Sequence, residues 1–92
     1  MNSFIYPAIF VKDEINSGYK VLFPDLEITT DGAFVEEAFL YAEALLKAYF
    51  AYAIKYDLGY NLPSEFDKVN RKLGKNEFVM LIRARVSKKD IE

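Results

Sequence analysis

The sequence predicts an α+β fold with three strands, one long helix, a short helix and a fourth strand, in that order. Apolar runs of strand length lie at 4–11, 19–24 and 77–86, and turn residues separate them. Residues 34–57 instead repeat apolar side chains with the period of a helix. The length of 92 residues and the mass of 10.6 kDa predict a single domain over 1–92, because two domains would each lack a sufficient core.

The first three strands are predicted to form an antiparallel meander, since short loops join them. Residues 4–11 are apolar on both faces, which is typical of a strand covered on two sides. Pro7 must lie at a bulge or where its missing N–H would face no partner. The loop that follows contains Asn16 and Gly18, which tolerate positive φ. The third strand, 26–30, is predicted to end at the turn formed by Asp31 and Gly32.

The long helix is the clearest element in the sequence. Glu36 and Glu37 lie in its first turn, where the helix dipole favours acidic side chains, and Gly59 is the predicted stop. The predicted core-facing stripe consists of Val35, Ala38, Phe39, Ala42, Leu45, Leu46, Tyr49 and Ala53.

The last third of the chain predicts a short helix, a strand and a frayed tail. Ser64 is a good N-cap for a helix over 65–73, and Gly74 follows it. Residues 77–86 then alternate between an apolar face and a face that changes from apolar to basic. The tail 87–92 is charged, which predicts fraying.

The long helix crosses the sheet and returns the fourth strand, which the sequence predicts to run parallel to the first. One helix covers one sheet face, so apolar side chains on the other face predict a homodimer. The alternative is that 60–75 folds back over that face and leaves a monomer. The predicted dimer surface comprises Tyr41, Tyr52, Val79, Leu81 and Arg83.

Two absences in the composition exclude whole classes of chemistry. The chain has no Cys and no His, which removes disulfides, thiolate nucleophiles, histidine acid–base catalysis and Cys or His metal ligation. The four glycines have no phosphate-loop spacing, and we expect no cofactor. With no apolar run of membrane-span length and no secretory signal, the expected compartment is the cytoplasm, away from any membrane.

Charge is divided unevenly along the chain. Residues 1–67 carry 4 basic and 11 acidic side chains, whereas residues 68–92 carry 8 basic and 3 acidic ones. An acidic body suits a basic protein partner and makes DNA binding an unfavoured role. The alternative is a weak nucleic-acid-binding regulator acting through 68–89, although no aromatic side chains interleave with the basic run Lys68, Arg71, Lys72 and Lys75.

A second alternative is a residual metal-dependent nuclease. The element order invites comparison with ribonuclease H, whose site uses acids on the first strand, the helix and the fourth strand. Here 4–11 contains no acid, the fourth strand offers Arg83 and Arg85, and only Glu43 is available on the helix. Acids from different elements must converge to hold a metal, so the sequence predicts no enzyme.

Several segments resemble the HicB antitoxin family of bacterial toxin–antitoxin systems. They are Tyr6-Pro7-Ala8, Gly18-Tyr19 with Val21, Phe23-Pro24-Asp25-Leu26, Gly32, Glu36-Glu37-Ala38, Ala42-Glu43-Ala44-Leu45 and Leu62-Pro63-Ser64. The family's Pro-Gly-Cys turn after Leu26 is replaced by Glu27-Ile28, and its Asp-Thr before the helix is replaced by Ala33-Phe34. The family usually continues into a DNA-binding domain, which is expected to be absent after 92.

The resemblance implies a partial ribonuclease-H-like fold without catalysis. It also implies a partner, a small basic HicA-type RNase toxin that the chain neutralises by covering it. Asp25 is expected either to cap its own turn or to contact that partner. The candidate partner-binding residues are Tyr19, Phe23, Asp25, Glu36, Glu37 and Glu43.

Overall fold

The structure is a computed structural model that describes residues 2–92, and it confirms the α+β class. Within those residues a four-stranded antiparallel sheet is combined with helices. The elements in chain order are β1 (Asn2–Lys12), β2 (Tyr19–Phe23), β3 (Ile28–Gly32), α1 (Val35–Lys55), α2 (Phe66–Asn70), β4 (Glu77–Val86) and α3 (Lys88–Ile91).

The sheet order is β3-β2-β1-β4, and every neighbouring pair is antiparallel. The meander of the first three strands is therefore confirmed. The predicted parallel alignment of β4 with β1 is wrong, because the chain crosses the length of the sheet twice between β3 and β4. The 21 residues of α1 cross once, and the segment 56–76 crosses back to the end at which α1 began.

β1 is paired with β4 along nearly its whole length but with β2 only from Ile9 onward. The backbone N–H of Lys12 donates to the carbonyl of Asn76 at 2.9 Å, and this bond fixes which pairs of the ladder exchange hydrogen bonds. Hydrogen-bonded and non-hydrogen-bonded pairs alternate along the ladder, and the pair of Pro7 with Leu81 is one of those that exchange no hydrogen bonds. The proline therefore costs the β1–β4 ladder nothing, as the sequence predicts.

The tight turns use residues other than the predicted ones. In the β1–β2 loop Ser17 takes positive φ (59°), and neither Asn16 nor Gly18 does. In the β2–β3 turn Glu27 takes positive φ (56°). This turn occupies 24–27, so β3 begins two residues later than predicted.

The core lies between α1 and the sheet face turned toward it, called here the first face. The fully or nearly buried side chains of this core are Tyr6, Ala8, Phe10, Val21, Phe23, Ala38, Ala42, Leu46, Phe50, Ile82, Ala84 and Val86. The predicted helix stripe is confirmed, with Phe50 added to it as a fully buried residue.

Small residues let the N-terminal half of α1 approach the sheet closely. A Cβ atom at Gly32 would clash with the backbone nitrogen of Ala38 and would lie 2.7 Å from its Cα. The C-terminal half of the helix stands off enough to hold aromatic rings. There Phe50 stacks on Phe4 with ring centroids 3.8 Å apart, and Tyr60 meets Phe50 edge-on at 4.8 Å.

α1 ends at Lys55, two residues before the predicted end at 57 and four before Gly59, so the prediction that Gly59 stops the helix is wrong. Asp57 takes the left-handed conformation (φ 52°) and its N–H donates to Ile54, while the N–H of Leu58 donates to Ala53 at 2.8 Å. These bonds form a Schellman motif, which an aspartate can support because its short polar side chain tolerates positive φ.

Segment 60–75 begins beside the first face, where Tyr60 and Asn61 contact Phe4 and Tyr6. Its helix α2 lies over the second sheet face, the one turned away from α1. Pro7 and Val79 point to this face and are nevertheless buried, and α2 contacts both β1 and β4. The fold-back of this segment is therefore seen in the structure. The predicted N-cap is wrong, because α2 begins at Phe66 without a side-chain cap and Ser64 bonds elsewhere.

The predicted fraying of 87–92 is wrong, because α3 is anchored at both ends. The Ser87 N–H and hydroxyl both donate to the Asp90 carboxylate, at 2.7 and 2.9 Å. Lys47 on α1 pairs with that carboxylate at 3.4 Å, and Ile91 packs against the core. Among residues 2–92 no helix combines the length and apolar character needed to cross a bilayer.

We expect Gly32→Ala to destabilise the protein by about 1–3 kcal/mol, because the new methyl group must push apart the backbones of β3 and α1. Gly59→Ala is the matched control, since a Cβ there meets nothing within 4 Å and its φ is not positive. Urea unfolding of both variants measures the difference. Equal stability of the two variants would contradict the close approach.

Docking of α3 should depend on pH. Hydrogen bonds from Ser87 and the nearby Lys47 lower the pKa of Asp90, so its folded-state pKa lies below its unfolded value. The resulting stability is present above the unfolded pKa and is lost as pH falls through the folded pKa. Wild type should therefore exceed Asp90→Asn in stability at pH 7, and this gap should narrow as the pH falls below the unfolded pKa of aspartate. Unfolding curves at neutral and acidic pH test this, and a gap that does not change with pH would refute it.

Candidate partner-binding surfaces

The antiparallel meander gathers acidic side chains at one end of the sheet. The tip of the β1–β2 hairpin lies there beside the end of β3 and the start of α1. We call Asp13, Asp31, Glu36 and Glu37 the acidic end. Next to it is an open depression of about 350 Å³ lined by Asp13, Asn16, Gly18, Tyr19, Lys20, Asp31, Gly32, Ala33 and Glu37.

Local hydrogen bonds hold two of these carboxylates in place. Asp13 accepts the backbone N–H groups of Asn16 and Ile15, and these bonds lower the pKa of its carboxyl group. Glu37 accepts the N–H of Ala33 at 2.8 Å, one turn before it in the chain. Asp31 and Glu36 are exposed. The end therefore combines fixed negative charges with two that face solvent.

An apolar groove adjoins the acidic end on the β4 side. It has a volume of about 410 Å³ and is lined by Val35, Glu36, Phe39, Leu40 and Met80. Leu40 is 62% exposed at its rim, and the neighbouring Phe34 is 53% exposed. Glu36 belongs to both surfaces, so charged and apolar contacts are available next to each other.

The predicted partner-binding residues do not form one site. Tyr19 and Glu37 line the same depression and Glu36 lies beside them. The prediction that Phe23 contacts a partner is wrong, because its side chain is fully buried in the core. Glu43 lines a separate depression with Lys47, Arg83 and Arg85.

Asp25 neither caps its own turn nor lies at the acidic end. One of its carboxylate oxygens accepts the N–H of Ser64 at 2.8 Å and the other accepts the Ser64 hydroxyl. Its backbone carbonyl accepts the side-chain amide of Asn61 at 2.9 Å. Asp25 therefore ties the segment between α1 and α2 to the end of β2.

Tyr6 holds the same segment from within the core. Its hydroxyl donates to the carbonyl of Asn61 at 2.6 Å. Burial, with nearby Tyr60 and Asp25, raises the pKa of Tyr6 to about 12. The hydroxyl therefore stays protonated and continues to donate at every physiological pH.

The predicted dimer residues lie on two sides of the molecule. Tyr41 and Tyr52 are on α1 and are 49% and 61% exposed. Val79, Leu81 and Arg83 point to the second face of the sheet, where Val79 is buried (8%) and Leu81 is 52% exposed. The prediction that these residues form one patch is therefore wrong, because the sheet separates them.

The geometry offers little support for the two alternative functions, a metal-dependent nuclease and a nucleic-acid-binding regulator. Residues 2–92 contain no group of three acidic side chains close enough to hold one metal ion. The basic side chains of 68–89 are spread over α2, the loop before β4, β4 itself and α3.

The sequence missed Asp13 and Asp31 as members of the surface. The strand order was predicted correctly for the meander, and an antiparallel meander necessarily places the first hairpin beside the end of the third strand. Lys20 and Asp31 are cross-strand partners in this arrangement. Counting acids by strand end, rather than along the chain, would have identified both residues.

Comparison with solved structures identifies one with a similar fold. The chain aligns with a chain of a toxin–antitoxin complex from Streptococcus pneumoniae with a TM-score of 0.79 and 23% identity, covering 96% of this chain and 73% of the other. At that identity the likeness shows a shared fold. No protein-family model matches the sequence, and no curated protein matches it.

We expect Asp25→Ala to loosen the segment that Asp25 holds and to cost about 1 kcal/mol of unfolding free energy, since exposed hydrogen bonds to a carboxylate are lost. Hydrogen exchange at the Ser64 amide should accelerate. Glu65→Ala is the control, because Glu65 is an exposed acid next in sequence that makes no cap bond. If hydrogen exchange at Ser64 is as slow in Asp25→Ala as in the control, the hydrogen bonds between Ser64 and Asp25 do not stabilise the segment.

Proposed function

We propose that this chain is a non-catalytic antitoxin domain of the HicB type, which neutralises a small basic RNase toxin of the HicA type by binding it. The observation that carries the proposal is the fold shared over 96% of the chain with a member of a toxin–antitoxin complex. The segments that resemble the HicB family support the specific type. They include the Gly-Tyr-x-Val-x-Phe-Pro-Asp-Leu run over 18–26.

Several residues of that run have structural roles. Val21 and Phe23 are buried in the core, and Asp25 holds the α1–α2 segment. Tyr19 is half-buried and lines the depression at the acidic end together with its neighbours Gly18 and Lys20. The resemblance therefore supports a common fold more strongly than a common contact surface.

The acidic end is the surface we assign to the toxin. Four carboxylates gathered within one end of the sheet attract a basic protein and accelerate its association. The depression beside these carboxylates can receive a side chain of the toxin, and the half-buried Tyr19 in its lining offers an apolar contact. Other acids, such as Asp57 and Glu65, lie apart from it, on the exposed segment after α1.

The double variant Asp31→Arg with Glu36→Arg tests this assignment. Both residues are exposed, so folding should be unaffected, while toxin affinity should fall at least about tenfold because like charges now face each other. The control is Glu65→Arg with Glu92→Arg, which changes net charge equally at two exposed positions outside the acidic end. Binding is measured by calorimetry with a small basic RNase toxin of the HicA type, at low and high salt.

The same pair of proteins tests the function itself. Co-expression of the wild-type chain should rescue growth of cells that produce the toxin, and the two proteins should co-purify. Absence of both rescue and complex would overturn the proposed function. If wild type binds but both double variants lose affinity equally, the function stands and the acidic end is not the contact surface.

A further inference from the structure

We propose that the free edge of β4 pairs with the β4 edge of a second copy of this chain, forming an antiparallel, two-fold symmetric dimer with one continuous sheet. This interface differs from the toxin surface proposed above and does not depend on it. It also differs from the patch that the sequence predicts, since it uses the backbone of β4 rather than the outer side of α1.

β4 ends the sheet, so one of its two edges has no strand beside it. The alternation fixed by Lys12 and Asn76 directs the N–H and C=O groups of Phe78, Met80 and Ile82 toward β1. The corresponding groups of Val79, Leu81 and Arg83 point outward. Among residues 2–92, the backbone bonds outside the ladders engage none of those three residues.

The two edges of the sheet are protected very differently. β3 forms the other edge with only five residues, and these include Thr29, Thr30 and Asp31. Short, polar edge strands discourage further pairing. β4 has ten residues, no proline and an apolar centre, and such an exposed edge is a ready template for another strand.

The β4 sequence is complementary to itself in antiparallel pairing. When the two-fold axis passes through Leu81, outward-bonding residues face each other and Glu77 lies opposite the partner's Arg85. When the axis passes through Met80, Glu77 lies opposite the partner's Arg83. In both registers the apolar centre meets itself, and opposite charges directly across strands stabilise the pair at its ends.

The apolar groove lies next to the same axis. Met80 forms part of its floor, and Phe39 and the exposed Leu40 form its wall on α1. A two-fold axis perpendicular to the sheet at 80–81 places both helices on the same side of the extended sheet. The grooves of the two copies then adjoin, and the exposed Leu40 of each copy can be buried against the other.

A single substitution separates backbone pairing from side-chain contact. Leu81→Pro removes an outward N–H and leaves the β1–β4 bonds intact, because Leu81 lies opposite Pro7 in a pair that exchanges no bonds. Leu81→Ala trims the same side chain and keeps the N–H. By light scattering at micromolar concentration, wild type and Leu81→Ala should have twice the mass of 10.6 kDa, and Leu81→Pro should have 10.6 kDa.

A charge swap gives a second test in case the proline perturbs folding. Arg83→Glu with Arg85→Glu should weaken the dimer at least about tenfold, because acids would face Glu77 of the partner. Adding Glu77→Arg to that variant should restore the dimer. If these charged side chains acted only within one chain, adding Glu77→Arg would not restore the dimer.

Hydrogen exchange locates the interface directly. The amides of Val79, Leu81 and Arg83 should be protected in wild type and should exchange faster on dilution, whereas those of Met80 and Ile82 stay protected by β1. A monomeric wild type, or a Leu81→Pro variant that remains dimeric, would overturn the proposal. Protection of the three amides only after a toxin is added would also overturn it and assign the edge to that partner.

Discussion

The ladder between β1 and β4 is the interaction on which the remaining structure depends. It joins the two longest strands through ten residue pairs and carries Tyr6, Ala8, Ile82 and Ala84 into the core. Because the ladder is antiparallel, the chain must return across the sheet after α1 before β4 can begin. That return places α2 on the second face, against β1 and β4, where Pro7 and Val79 are buried.

The same ladder determines which surfaces remain available. It makes β4 an edge strand, and it fixes which backbone groups point away from β1. The acidic end is set independently, by the meander of β1, β2 and β3 and by the close approach of α1 at Gly32. The proposed toxin contact uses the acidic end and the proposed dimer uses the edge of β4, so both surfaces can be occupied together.

Local patterns predicted the elements well. The period of 34–57 identified the helix within two residues at each end, and β4 was predicted with its observed bounds. Pro7 was predicted to avoid the ladder, and it does so because it faces Leu81 in a pair without bonds. These features depend on nearest neighbours in sequence or on the alternation of a single strand.

Long-range contacts explain what the sequence could not show. Ser64 has the composition of a helix cap, but Asp25, 39 residues away, takes both of its hydrogen-bond donors. The charged tail forms α3 because Lys47 and the core receive Asp90 and Ile91. Phe23 belongs to the family-like run, yet its strand turns it inward, away from any partner.

The mass of the complex formed with a small basic RNase toxin tests the central claim, that the toxin and the second copy use different surfaces. Light scattering at saturating toxin should give two copies of this chain and two of the toxin. A complex with one copy of each would show that the toxin displaces the second copy from a shared surface. It would contradict the account.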